Sequence, residues 1–120
     1  MIEHVSVPVK NYAKAKKFYV AALKPLGYKL KRDFPQYKAA GFMEGGHTSL
    51  WIVQKKRVVP IHVAFLAKSK KAVHAFHAAA LKGGAKDYGK PGPRKMYSPD
   101  YYASFVLDPD GNNIEACNFN

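Results

Sequence analysis

The sequence repeats itself. Set against itself with an offset of 58, it places His4-Val5 over His62-Val63, Phe18 over Phe76, and Ala21-Ala22-Leu23-Lys24 over Ala79-Ala80-Leu81-Lys82. A chain of 120 residues holds one compact domain rather than two, so two half-size units of the same kind have to share one core. Each unit opens on a strand-like segment, Ile2 to Val9 or Ile61 to Ala67, and continues into a helix. Asn11 and Ser69 are natural N-caps, because a short side-chain oxygen accepts the orphan N–H groups of a first helical turn. Ala15, Phe18, Tyr19, Ala22 and Leu23 fall on one face of the first helix, and Val73, Phe76, His77 and Ala80 on one face of the second. These faces are expected to pack on a sheet. Gly27 and the pair Gly83-Gly84 close the helices.

Three further strand-like runs follow each helix. In the first unit they are Tyr28 to Phe34, Tyr37 to Phe42 and Thr48 to Gln54, with Glu44-Gly45-Gly46 as a turn. In the second they are a short Ala85 to Gly89, then Tyr101 to Leu107 and Asn113 to Phe119. Asp108-Pro109-Asp110-Gly111-Asn112 supplies the turn between the last two, and Lys90 to Pro99 reads as a Pro/Gly-rich loop. The expected fold is α+β: two tandem βαβββ modules, 1–57 and 61–120, forming a curled mixed sheet within a single domain, 1–120.

Charge narrows the partners. Twenty Lys and Arg against eight Asp and Glu give a formal charge of +12, with 12 basic and 3 acidic residues before Pro60. A field of that sign favours anions, although Lys14, Lys17 and Lys24 also recur as the solvated face of an ordinary helix. No helix-turn-helix, zinc-finger or aromatic RNA-binding pattern supports a nucleic-acid partner, and no apolar run approaches a membrane span. Met1-Ile2-Glu3-His4-Val5 reads directly as strand, without the zones of a signal peptide. The only cysteine, Cys117, has no partner for an intrachain disulfide and reads as a core filler. A cytoplasmic location is the expectation.

The closing segment Tyr101-Tyr102-Ala103-Ser104-Phe105-Val106-Leu107-Asp108-Pro109-Asp110-Gly111-Asn112-Asn113-Ile114-Glu115 resembles the final hairpin of the vicinal-oxygen-chelate superfamily, which contains glyoxalases, bleomycin-resistance proteins and extradiol dioxygenases. The resemblance spans essentially the whole chain, with His4 and His62 heading the modules. It implies metal ligands on the first and last strands of each module: His4, His62 and Glu115. Near the module ends the internal offset becomes 64, which sets Trp51 over Glu115. An indole nitrogen only donates, so the four-ligand pattern of the glyoxalase I lyases is broken at Trp51. Two imidazoles and a carboxylate suit a divalent ion such as Fe, Mn, Zn or Ni with open positions.

Two functions follow from that resemblance. The first is a divalent-metal-dependent enzyme, lyase or dioxygenase in type, acting on a small anionic oxygen-bearing substrate, with Glu115 handling a proton. The second is a metal-free, drug-sequestering protein, in which Trp51 forms a wall for a planar guest. In similar proteins the loop from Lys90 to Tyr102 runs over the mouth of the site. There Arg94 is a candidate anion clamp, and Tyr97, Tyr101 and Tyr102 are candidate aromatic walls. His74 and His77, three apart on a helix, read as surface or packing residues, and His47 as exposed. Family members commonly share sites between two chains, so a homodimer is expected.

Overall fold

A computed structural model describes residues 1–119. Both helices start where the caps place them. Asn11 Oδ1 accepts Lys14 N–H at 3.0 Å and Ser69 Oγ accepts Ala72 N–H at 3.0 Å. The first module runs β1 (Val5–Val9), α1 (Tyr12–Leu23), β2 (Lys29–Phe34), β3 (Ala39–Glu44) and β4 (His47–Gln54). The second runs β5 (His62–Leu66), α2 (Lys70–Lys82), β6 (Lys86–Pro93), β7 (Tyr102–Leu107) and β8 (Asn113–Asn118).

The strands form two separate four-stranded mixed sheets rather than one continuous one, in the equivalent orders β1-β4-β3-β2 and β5-β8-β7-β6. In each, the first and last strands of a module pair in parallel and the others pair antiparallel. Alternation decides the faces. Val7, Val9, Ala40, Phe42, Leu50 and Ile52 point to the helices and are buried, whereas Ala39, Met43, Ser49, Trp51 and Val53 on the other face are half-buried. Phe18, Tyr19 and Leu23 of α1 and Val73 and Phe76 of α2 join residues of both sheets in one core. No helix among the described residues is long and apolar enough to cross a membrane.

The modules are locked together by the loop read as a mere turn. Asp108 is buried and accepts the Tyr19 hydroxyl at 2.5 Å, the backbone N–H groups of Asp110 and Asn112 at 2.8 Å each, and Asn112 Nδ2 at 2.9 Å. Asn112 continues outward: its Nδ2 donates to Pro8 O at 3.0 Å and its Oδ1 accepts Ile61 N–H at 2.9 Å. One loop thereby ties α1, β1 and the residue before β5.

Of the pair expected to close α2, Gly83 is the C-cap, with φ −81°, and Gly84 is the left-handed residue, with φ 105°. Two expected boundaries move. Pro35–Tyr37 forms a short 3-10 turn, so β3 begins at Ala39. Most consequentially, β6 continues through Pro91 to Pro93, and Gly92 and Pro93 pair with Ala103 and Tyr102. Proline is tolerated there because β6 is the sheet edge, where an outward position needs no donor. The expected long loop from Lys90 therefore shortens to residues 94–101.

Candidate functional site

Two clefts open on the faces that the helices leave uncovered. The second-module cleft, of about 370 Å³, is lined by His62, Tyr97, Tyr101, Phe105, Asn113 and Glu115. His62 begins β5, and its Nε2 lies 3.1 Å from Glu115 Oε1 on β8. The glutamate side chain is 3% exposed against 49% for the histidine, so a nearly buried carboxylate is presented to an accessible imidazole. Tyr101 donates its hydroxyl to Oε2, the other oxygen. Burial, then the Glu115 carboxylate, pushes the Tyr101 phenol well above its ordinary range, so it remains a donor. Tyr97 and Phe119 pack edge-on against the Tyr101 ring. Beneath them burial, then the same carboxylate, raises the thiol of buried Cys117.

Phe105 forms the floor. Its ring stacks on His62, with centroids 6.3 Å apart, and carries the Arg94 guanidinium at 5.4 Å. Gly89 pairs with Phe105 across the strands, and a Cβ there would come within 2.9 Å of the Phe105 ring. Arg94 itself is engaged by the backbone, donating to Gly92 O at 2.9 Å and Lys90 O at 2.8 Å. Tyr102 points to the helix side, its hydroxyl 2.6 Å from His74 Nε2. Of the expected residues the structure thus brings His62, Glu115, Tyr97 and Tyr101 together; Arg94 reaches the Phe105 ring but is engaged by backbone carbonyls and does not line the cleft, and neither does Tyr102.

The first-module cleft, of about 460 Å³, is lined by Glu3, His4, Lys31, Arg32, Met43, Gly46, His47, Thr48 and Trp51. His4 immediately precedes β1. Its Nδ1 meets one oxygen of Glu3, while His47 Nε2 lies 3.1 Å from the other and 2.8 Å from the Glu3 carbonyl. Hydrogen bonding to His4 is the main cause holding the Glu3 carboxyl below its usual range. Trp51 stacks on Phe34 of β2 with centroids 5.9 Å apart and planes 18° from parallel.

The two modules differ by an exchange across one strand pair. On β7 and β8 the partners are Phe105 and Glu115; on β3 and β4 the partners 64 positions earlier are Gly41 and Trp51. A Cβ on Gly41 would sit 2.7 Å from Thr48 Cγ2 and 3.0 Å from two indole carbons, so the bare backbone is what lets the indole lie over β3. Module one has an indole over a glycine where module two has a phenyl beside a carboxylate. Phe34, Phe105, Lys31 and Arg32 went unnoticed as site residues in the sequence. The offset of 64, extended back to Gly41 over Phe105, carries the signal for Phe105.

Among the described residues no three His, Cys, Asp or Glu side chains converge as a metal-holding group. His62 and Glu115 supply two donors of the right chemistry; His4 lines the other cleft.

The sequence model of the Glyoxalase/Bleomycin resistance protein/Dioxygenase superfamily matches residues 1–116. The chain belongs to this superfamily. Its structure is similar to that of a glyoxalase/bleomycin resistance protein from Albidiferax ferrireducens, at 27% identity and a TM-score of 0.83, with 97% of each chain covered. A family enzyme from Burkholderia phytofirmans shares the fold at 15% identity, TM-score 0.72, covering 99% of this chain and 98% of that one. A glyoxalase I mutant from Zea mays matches at 26% identity and TM-score 0.69; there 96% of this chain aligns with 44% of the other. No curated protein sequence matches the chain. Like glyoxalase-superfamily members generally, the chain is built from the two βαβββ modules already described.

Proposed function

We propose that this superfamily member is a divalent-metal-dependent enzyme, lyase or dioxygenase in type, acting on a small anionic oxygen-bearing substrate, and that two copies of the chain complete its site. The observation that carries the reading is the facing pair His62 Nε2 and Glu115 Oε1, 3.1 Å apart, with Glu115 nearly buried. A buried carboxylate beside an imidazole is a costly arrangement to keep without a cation to share. His4, in the other cleft, is the third donor of compatible chemistry, and a second copy is the means by which it would reach the pair. A metal held there supplies Lewis acidity toward neighbouring substrate oxygens.

The chain's own residues account for orientation and proton handling. Tyr101 fixes Glu115 through Oε2 and leaves Oε1 turned to His62, so Oε1 is the oxygen that would face a metal and, when free of it, the candidate acceptor of a proton. Tyr97 and Phe105 line the cleft around it. The 12 basic residues of the first half draw an anion toward the site.

A second reading, a metal-free small-molecule-binding protein, is favoured by the indole platform that Gly41 permits in module one. The test is metal content after tag-free purification, with rebinding by wild type, His4→Ala, His62→Ala and Glu115→Ala, and solution mass of each. One metal per site, lost in all three variants of a dimeric protein, is the expected result. Absence of metal from wild type that also fails to rebind it overturns the enzyme reading in favour of the second. A monomeric protein overturns the shared site.

A further inference from the structure

We infer that the first-module cleft is a subsite for a planar aromatic carboxylate, with Trp51 as the stacking floor and Arg32, supported by Lys31, as the anion clamp. The inference rests on the reading that the clefts accept a small anion, and it names that anion's class and the residues that recognise it.

Register places the parts. Arg32 pairs with Gly41, Gly41 with Trp51, and Trp51 with Ser6, so these four form one row across the sheet, and directly opposed residues share a face. Adjacent strands lie about 4.8 Å apart, so Arg32 stands two strands from Trp51 with only a glycine between them. Arg32 and Trp51 line the same cleft, so an aromatic ring can stack on the indole face turned away from Phe34 while its carboxylate reaches the guanidinium. Phe34 backs the indole from β2.

The electrostatics agree. The Arg32 guanidinium makes no hydrogen bond or ion pair among the described residues, and neither does the ammonium of Lys31, which stands at the β2 bulge. Arg94, by contrast, is held by backbone carbonyls. The acidic residue lining the cleft, Glu3, already faces His4 and His47. Two free cations therefore meet an aromatic floor, and an Arg fork matches a carboxylate in two parallel bonds.

Trp51 is the sole tryptophan of the chain, so its indole N–H resonance and fluorescence report on this cleft alone. Benzoate, benzamide and cyclohexanecarboxylate are titrated into wild type, Arg32→Gln, Arg32→Lys and Lys31→Gln, each with metal chelated and with metal added. Saturable movement of the indole signal by benzoate is expected, with both other compounds weaker. Arg32→Gln should weaken benzoate by about ten- to hundredfold, the range for a charge-assisted bond, and Arg32→Lys by less. Benzamide binding as tightly as benzoate, equal affinity in Arg32→Gln, or no indole response overturns the inference. Metal retention, read on the same samples, separates the two ideas. Arg32-dependent benzoate binding by a protein that rejects metal upholds the subsite and removes the enzyme reading. Metal retention without benzoate binding does the reverse.

Discussion

Removal of the Asp108 carboxylate should come close to unfolding the whole chain, although the residue lies in a turn. Its two oxygens accept four hydrogen bonds, three of them from groups of Tyr19 and Asn112 that are fully buried. Water can replace the carboxylate at Asp110 N–H on the turn's outer side, but not at the other three. A hydrogen bond to a charged group contributes about 1.5–3 kcal/mol, and bonds sharing one acceptor do not add. The loss in Asp108→Ala is therefore set at about 3–5 kcal/mol, against a total of roughly 5–15 kcal/mol for a domain of this kind. Tyr19→Phe removes one donor and leaves the carboxylate three, so its cost is about 1.5–3 kcal/mol. Urea unfolding followed by Trp51 fluorescence, which reports on module one, and by far-UV dichroism, which reports on both, measures these values. The two transitions should coincide in wild type and in Tyr19→Phe, with an unchanged slope and a midpoint lower by roughly 1 M. A loss below about 1 kcal/mol in Asp108→Ala, or separated transitions in wild type, would refute the idea that this loop joins the modules into one cooperative unit.

Gly41→Ala should cost about 1–3 kcal/mol by overpacking and shift Trp51 emission, because the new methyl group meets Thr48 Cγ2 at 2.7 Å and the indole at 3.0 Å. Adding Thr48→Ser removes the closer contact and should restore part of the stability but not the emission; unchanged emission in Gly41→Ala would show that the indole does not depend on the glycine. His77 Nε2 is bonded to Asp87 Oδ1 at 3.0 Å, and this, then Gly89 N–H, holds the Asp87 carboxyl below its ordinary range. The folded form thus holds that proton less tightly than the unfolded chain. The contribution is complete above about pH 4–5 and disappears as pH falls through the depressed value. Stability measured at pH 7 and pH 3 should fall less in Asp87→Asn than in wild type, and an equal fall would remove the pair from the account of acid sensitivity.

Much of the fold was legible because local signals and the repeat agreed. Asn11 and Ser69 cap both helices as expected, and the apolar faces of α1 and α2 meet the sheets. What escaped was position-dependent. Pro91 and Pro93 argue for a loop unless the strand is known to lie at an edge, and edge status is a property of the assembled sheet. Asp108 and Asn112 carry ordinary turn chemistry in sequence, and nothing local shows that Tyr19, 89 positions away, donates to one of them. Arg94 has the composition of an anion clamp, but backbone carbonyls two and four residues before it engage the guanidinium. Arg32 was hidden by the reverse effect: among many solvated cations only cross-strand register singles it out.

The repeat also explains how one fold can divide its labour. Duplicated modules begin with equivalent positions, and a cross-strand pair can change only if both members change together, since the two side chains compete for one volume. Phe105 with Glu115 fills that volume with a ring from β7 and leaves β8 a short acidic side chain facing His62. Gly41 with Trp51 fills it from β4, which removes any donor there and requires the β3 side chain to vanish. The single changes are each unfavourable: Trp opposite Phe overfills the site, and Glu opposite Gly leaves an uncovered carboxylate. Restoring a carboxylate at Trp51 alone is therefore expected to yield a poorly packed module rather than a fourth donor, and only Gly41→Phe combined with Trp51→Glu, in a Thr48→Ser background that removes the Cγ2 a Cβ at 41 would meet at 2.7 Å, should recover both stability and an added metal-binding group. Urea midpoints of the two single variants and the double variant test this, with a favourable coupling of at least about 0.5 kcal/mol expected between neighbours; additive losses would mean that the two positions do not share a volume.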